Sequence, residues 1–479
     1  MTDILTLSHH IAGRTAGGAT AFTQSNPATP DDLRVEGPEA DASLIAEAAT
    51  GAHKAVALLA AQGIEARADA LARIGRALMA DAERIALLMA RETGKTLGDS
   101  KGEVMRAARI FDFFAGESLR NVGERYASTR PGAMVEVDYA PVGVIAAITP
   151  WNFPIAIPAW KIAPAIAFGN AVLWKPSEIS SATAAALMDV IATSELPEGT
   201  VSMLLGAGSA GAALTAAEGI DAISFTGSIA TGKRIAAVAA ERGLRVQLEM
   251  GGVNGLIVLD DADLDVAVDC AINGAFFAAG QRCTATSRII VTEGIADRFV
   301  EALVKRAATL VVGDPLDLKT QVGPLAAPRQ KELILSQIVR AEDSGLKTLF
   351  GGSAAALPEC FVAPTLFEGG PTDSLVAQEE IFGPVAGLFR VTDFEDAMTM
   401  LNGNRFGLSA GICTRSLLHA EAFKARAKAG MLMVNLPTAG VDYHAPFGGT
   451  GASSLGPREQ GRAARTFYTI VKTSYQKAV

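Results

Sequence analysis

From residue 142 onward, short apolar runs alternate with amphipathic stretches, and this alternation constrains the fold more than any other feature. The runs VGVIAAIT, NAVLWK, VSMLLG and AISF are separated by PAWKIAPAIAFG, SSATAAALMDVIATSE and SAGAALTAAEG, whose apolar residues recur at helical spacing. Strands apolar on both faces belong to a parallel sheet covered by helices on each side. A second run opens near Leu256 with LIVLDDADLDVAVDCAINGAFFAAGQRC, continues through SRIIV and ADRFVEALVKRAATLVVG, and extends to about residue 440. The expected class is therefore α/β, with two doubly wound parallel-sheet lobes. Upstream, 42–60 and 66–95 repeat Ala, Leu and Ile at three- and four-residue spacing, which predicts two long packing helices. The Gly- and Pro-bounded segment 116–143, with alternation in MVEVDY, marks a boundary. The C-terminal TFYTIVKTSYQ (466–476) alternates apolar and polar residues and reads as an edge strand available to another subunit.

Composition narrows the function. Lys and Arg number 42 against 51 Asp and Glu, a formal charge of −9, which lacks the basic footprint of a nucleic-acid binder. Four cysteines (Cys270, Cys283, Cys360, Cys413) make no CxxC pair or disulfide framework, which fits a reduced cytoplasm. The N-terminus carries no signal-peptide pattern. Tyr139 to Trp160 is uncharged and long enough to span a bilayer, but Pro141, Pro150, Pro154 and Pro158 interrupt it, so we read it as buried strand plus turn rather than a membrane segment. The histidines (His9, His10, His53, His419, His444) are scattered without metal-ligand spacing, and no metal is expected.

Four local patterns carry chemistry. AISFTGSIATGKRI (222–235) runs from strand to helix through Gly227, Ser228 and Gly232, where backbone N–H groups can meet a phosphate; it lacks G-x-G-x-x-G spacing and serves equally as a plain turn. NAVLWKPSE (170–178) ends a strand with Lys175 and Glu178, either a ribose-binding pair or a surface salt pair. GQRCTATSR (280–288) offers Cys283, whose activation as a nucleophile requires a positive or dipolar environment. VQLEMGGVNG (246–255) puts Glu249 at the end of an apolar strand, where a buried carboxylate either pairs with a cation or gains basicity.

Taken in order, TPWNFP (149–154), WKPSE (174–178), FTGS (225–228), LEMGG (248–252), GQRC (280–283) and EEIFGP (379–384) strongly resemble the NAD(P)-dependent aldehyde dehydrogenase superfamily. The similarity continues through PFGG (446–449) and REQG (458–461) to the C-terminal VKT. It implies an NAD-binding domain (1–117 and 142–248), a catalytic domain (249–445) and a small β oligomerisation domain (118–141 and 446–479), assembled as a homodimer or homotetramer. It implies Cys283 as nucleophile, Asn152 as oxyanion donor, Glu249 as general base, and Lys161 and Glu459 as supports of charge and proton relay. NAD, with NADP as the other option, would be met by Ile148, Trp151, Lys175, Glu178, Gly208, Gly211, Phe225, Gly227, Ser228, Met250, Glu380 and Phe382. A small aldehyde would be met by Phe153, Trp160, Arg282, Thr284 and Phe447.

MVNLPTAGVDYHAPFGG (433–449) and SSLGPREQG (453–461) are most similar to the branch of α-ketoglutaric semialdehyde (2,5-dioxopentanoate) dehydrogenases. The chain departs from many members in having GGVNG for GGKNP, and Thr450-Gly451 where a basic residue is common. The expected substrate is a short ω-oxo acid, with Arg282 as a candidate for its carboxylate. Alternative substrates are succinic semialdehyde and plain aliphatic or aromatic aldehydes. A different class of reading pairs Cys283 with His444 as a cysteine hydrolase.

Overall fold

The computed structural model of the chain describes residues 2–120, 123–355 and 357–478. At the centre of the first lobe lie five parallel strands in the spatial order Arg245–Glu249, Ala222–Thr226, Val144–Ile148, Ala171–Lys175, Val201–Met203. Ser454–Leu455 extends this sheet antiparallel at one edge, and the His9–Ile11 and Arg14–Ala16 hairpin extends it at the other. The central strands are buried almost throughout, which is why they read as unbroken apolar runs. From Val144–Ile148 the chain winds one way through Ala171–Lys175 to Val201–Met203, then returns to Ala222–Thr226 and winds the other way. Such a reversal opens a crevice beyond the carboxyl ends of the strands on either side of it. The loops that emerge there are TPWNFP and FTGS.

The second lobe carries a seven-stranded sheet in the order Lys347–Phe350, Thr365–Glu368, Val385–Val391, Thr286–Thr292, Asn254–Val258, Ser409–Cys413, Met431–Val434. All neighbours are parallel except the first pair. A third, antiparallel sheet joins Glu124–Ala127, Ala133–Pro141 and Thr469–Lys477.

Several sequence expectations are refined. The long helix Ala42–Ala80 breaks at Gly63 (φ +83°), close to the expected gap between 60 and 66, and a further helix Ala82–Thr93 ends at Gly94. Five strands of three to five residues precede these helices; they are too short to leave a periodic signal. In 139–160, strand and turn give way to helix Ala156–Ala167, so Trp160 is helical. The C-terminal strand pairs with its own chain, from Thr469 opposite Pro141 to Lys477 opposite Ala133, and leaves its other edge without a strand partner among the described residues. Of 446–479, only Thr469–Lys477 joins the small sheet: Phe447 lies buried near Cys283, Ser454–Leu455 joins the first lobe, and Phe467 and Tyr468 enter the first-lobe core. Residues 121 and 122 of the expected 118–141 segment lie outside the described residues.

Candidate active site

After helix Leu264–Phe276 the chain takes three consecutive left-handed residues, Ala278 (φ +54°), Ala279 (φ +53°) and Gly280 (φ +66°). Non-glycine residues in this region cost about 1–3 kcal/mol each unless their surroundings hold them. Here they are held. A Cβ at Gly280 would stand 2.0 Å from the Gly383 carbonyl. Asn152 donates from Nδ2 to the Gln281 carbonyl (2.9 Å), and Gln281 Oε1 accepts from the Ala326 amide (3.1 Å). Asn254 donates from its one Nδ2 to the carbonyls of Cys283 and Ala285, both at 2.8 Å. The first-lobe loop carrying Asn152 is thereby joined to the second-lobe loop carrying Cys283.

Cys283 is half-buried beside Leu408, Met431 and Phe447. Burial pushes its thiol pKa up, and the nearby carboxylates of Glu380 and Glu249 push it further. Of the positive or dipolar setting that activation as a nucleophile requires, the Cys283 backbone N–H acts on the thiol, lowering its pKa against these influences.

Glu249 ends strand Arg245–Glu249 with 2% exposure, and its Oε2 accepts from Ser454 Oγ at 2.6 Å. Its pKa is held well above the carboxylate range, first by burial and next by the charge of Glu459. Glu459 is itself buried in an ion pair with Lys161, which also donates to Ser224 Oγ at 2.9 Å. Ser224 donates to Gln247 Oε1 (3.1 Å), and Gln247 Nε2 donates to the Arg458 carbonyl (3.1 Å). One polar seam thus links the strand of Glu249 to the REQG segment. Glu380 is raised to about 7 by burial, offset in part by the Gly252 amide at 3.1 Å.

The residues expected at a dinucleotide fall into neighbouring groups. Lys175 is buried, with Nζ 3.6 Å from Glu178 Oε2, so the pair is not a plain surface contact. Burial lowers the Lys175 pKa, and the charges of Glu178 and Glu39 oppose that shift. A Cβ at Gly211 would touch Lys175 Cδ (3.8 Å) and Ile148 Cδ1 (4.0 Å), and Gly208 opens the helix that carries it. Ser228 caps helix Ile229–Arg242 by accepting from the Thr231 amide at 3.3 Å. Side chains are excluded beside it: a Cβ at Gly227 would meet Phe225 Cζ at 2.6 Å, and one at Gly232 would meet Met250 Sδ at 2.4 Å. Trp151 meets Phe382 edge-to-face at 5.6 Å. These features fit a dinucleotide: a helix N-terminus without side-chain obstruction, and a lysine–carboxylate pair at a strand end.

On the other side of the thiol, Trp160 stacks on Phe447 at 5.4 Å, and Phe153 lies under Lys95 Nζ at 3.9 Å. Thr284 is buried, its carbonyl accepting from Thr438 Oγ1 at 2.8 Å. Arg282 donates from Nη1 to Asn273 Oδ1 at 3.3 Å. His444 is exposed and meets Tyr443 edge-to-face, with no hydrogen bond to Cys283 among the described residues, so the thiol–imidazole pair of a hydrolase is not formed.

The family model described as "Aldehyde dehydrogenase family" matches residues 14–474. The chain belongs to this family. It is 41% identical over 400 residues (82% of each chain) to an alpha-ketoglutaric semialdehyde dehydrogenase of Bacillus subtilis (strain 168). It is 36% identical to a betaine aldehyde dehydrogenase of Cereibacter sphaeroides (strain ATCC 17029 / ATH 2.4.9), across 98% of this chain and 96% of that one. A crystal structure of a point mutant of Staphylococcus aureus betaine aldehyde dehydrogenase in complex with NAD+ superposes with a TM-score of 0.94 at 31% identity, covering 99% of this chain and 96% of that chain.

The geometry of this aldehyde dehydrogenase includes supports that the motifs did not reveal. Lys95 Nζ donates to the Asn152 carbonyl (2.6 Å) and pairs with Glu103. Glu103 Oε1 in turn accepts from the amides of Ile155 (2.9 Å) and Ala156 (3.0 Å), satisfying donors at the start of helix Ala156–Ala167, which has no side-chain cap of its own. Asn254, at the head of a buried strand, and Glu39, which accepts from Ser209 at the start of the Gly208 helix, were likewise missed. A polar residue heading an apolar run was the available signal for Asn254; for Glu39 there was none.

Proposed function

We propose that the chain oxidises a small ω-oxo acid of the α-ketoglutaric semialdehyde class to the corresponding dicarboxylate, with NAD as hydride acceptor. The observation that carries the chemistry is the tie between the Asn152 loop and the Cys283 loop, with Glu249 close enough for its charge to bear on the thiol. The 41% identity to a semialdehyde dehydrogenase supports the substrate class.

Cys283 Sγ gives up its proton to solvent and attacks the aldehyde carbon, forming the S–C bond as the carbonyl π pair moves to oxygen. One Asn152 N–H is committed to the Gln281 carbonyl; the second, with the Cys283 amide, is left to hold that oxyanion, a contribution of about 2.7–4 kcal/mol per donor. Lys175, Glu178 and the Gly227–Ser228 turn would hold NAD, which when bound would accept the hydride lost from the former aldehyde carbon as the oxyanion pair re-forms the carbonyl. The acyl group then remains on Sγ as a thioester. Glu249 takes a proton from the water that attacks the thioester carbon, the S–C bond breaks to release the carboxylate product, and the departing Cys283 thiolate takes the proton from Glu249. The high pKa of Glu249 makes it a stronger base once ionised; burial raises it most, Glu459 adds to it, and Lys161 opposes it.

Glu178 and Glu39 surround Lys175 with negative charge, which repels a 2′-phosphate and favours NAD over NADP. We assign the segment around 118–141 with the C-terminal strand to assembly of a cytoplasmic homo-oligomer. The test is NADH formation measured by absorbance with succinic semialdehyde against butanal. A preference for the oxo acid is expected; equal kcat/KM refutes the substrate class but not aldehyde oxidation.

A further inference from the structure

Val441 packs with Met433 and Cys283 against the buried apolar cluster of Leu408, Met431 and Phe447. Its outer rim is the segment 440–446, where Gly440, Asp442 and His444 are exposed. Arg106, on helix Leu97–Ser118, donates from Nη2 to the Val441 carbonyl. That hydrogen bond ties a guanidinium to the edge of the apolar cluster at the thiol, one helical turn beyond Glu103, which supports the Asn152 loop.

The electrostatic position of Arg106 is unusual. Its Nε is buried without a hydrogen-bond partner, and it forms no salt bridge among the described residues. Glu103 lies on the same helix face, but its carboxylate is already committed to Lys95 and to two backbone amides. Burial lowers the Arg106 pKa against the pull of Glu103 and Asp442. A half-buried guanidinium with several N–H groups unspent is costly unless something anionic completes it, since Arg stays charged near neutral pH. Arg282 lines the same cavity as Glu380, whereas Arg106 is tied to the Val441 backbone on the opposite edge of the apolar cluster and has no carboxylate partner of its own among the described residues.

We propose that Arg106 is the residue that takes the distal carboxylate of the substrate, with the aldehyde carbon at Cys283 and the chain lying along Trp160 and Phe447. Arg282 is the weaker candidate because it shares its cavity with Glu379 and Glu380, whose charge would oppose a substrate carboxylate there. This inference rests on the ω-oxo acid reading and names the residue that enforces it. Contact with a carboxylate far from the reacting carbon is equal in ground and transition states, so its loss raises KM and leaves kcat largely intact.

The test compares α-ketoglutaric semialdehyde with pentanal in the parent, Arg106→Met, Arg106→Lys and Arg282→Ala. In Arg106→Met, kcat/KM for the oxo acid is expected to fall by about 10- to 150-fold, mainly through KM. Turnover of pentanal should stay within about twofold, which also reports that the variant's sites are intact. Arg106→Lys should retain an intermediate part of the preference. Equal losses for both substrates would mark Arg106 as structural and overturn the proposal. A parent that prefers the oxo acid, with the preference kept in Arg106→Met and erased in Arg282→Ala, overturns the role of Arg106 while the substrate class stands. A parent without preference overturns both.

Discussion

Lys161→Met breaks the most deeply buried ion pair around the site and lets stability and chemistry be read from one change. Lys161 and Glu459 have side-chain exposures of 0% and 1%, so no solvent is available to rescreen the carboxylate left behind. Removing one partner of such a pair costs about 3–5 kcal/mol, whereas removing both is often close to neutral. At about 2.1 cal/mol/K per residue, 479 residues unfolding as a unit have an unfolding entropy of about 1 kcal/mol/K, so Lys161→Met should lower Tm by about 3–5 °C. Glu459→Gln in the same chain should restore much of that loss. The chemical effect has opposite signs in the two single variants. Glu249 must be ionised to activate water, so thioester hydrolysis rises with pH through its elevated pKa. Lys161 lowers that pKa and Glu459 raises it. The midpoint should therefore move to higher pH in Lys161→Met and to lower pH in Glu459→Gln. Calorimetry gives the first readout and steady-state kcat against pH the second. A single variant as stable as the parent, or midpoints that shift in the same direction, would refute this account of the seam.

Cys283→Ala should abolish aldehyde oxidation while NAD binding, followed by titration calorimetry, persists; retained turnover would remove Cys283 from its assigned role. Glu249→Gln should give a burst of NADH close to one per active site followed by slow turnover, because the thioester forms but is hydrolysed without a base; loss of the burst would place Glu249 in an earlier step. Glu178→Gln should narrow the ratio of kcat/KM for NAD over NADP, and an unchanged ratio would shift the discrimination to Glu39.

The lobes were legible because their strands are buried on both faces, so Val144–Ile148 and Asn254–Val258 announce themselves as apolar runs. The N-terminal strands were not, since a hairpin as short as His9–Ile11 with Arg14–Ala16 gains its stability from the sheet it edges rather than from its own pattern. The same division holds at the site. Cys283, Glu249 and Asn152 act through side-chain chemistry that leaves a residue-type signature. Lys95, Glu103 and Asn254 act on backbone groups far away in sequence: the Asn152 carbonyl, two amides opening a helix, and the carbonyls of Cys283 and Ala285. Any residue with the right donor or acceptor can perform that task from wherever the fold delivers it, so one-dimensional spacing carries little record of it. The electrostatic setting of Cys283 was not legible for the same reason. The charges that hold its thiol neutral come from Glu380 and Glu249, 97 and 34 residues away in opposite directions along the chain.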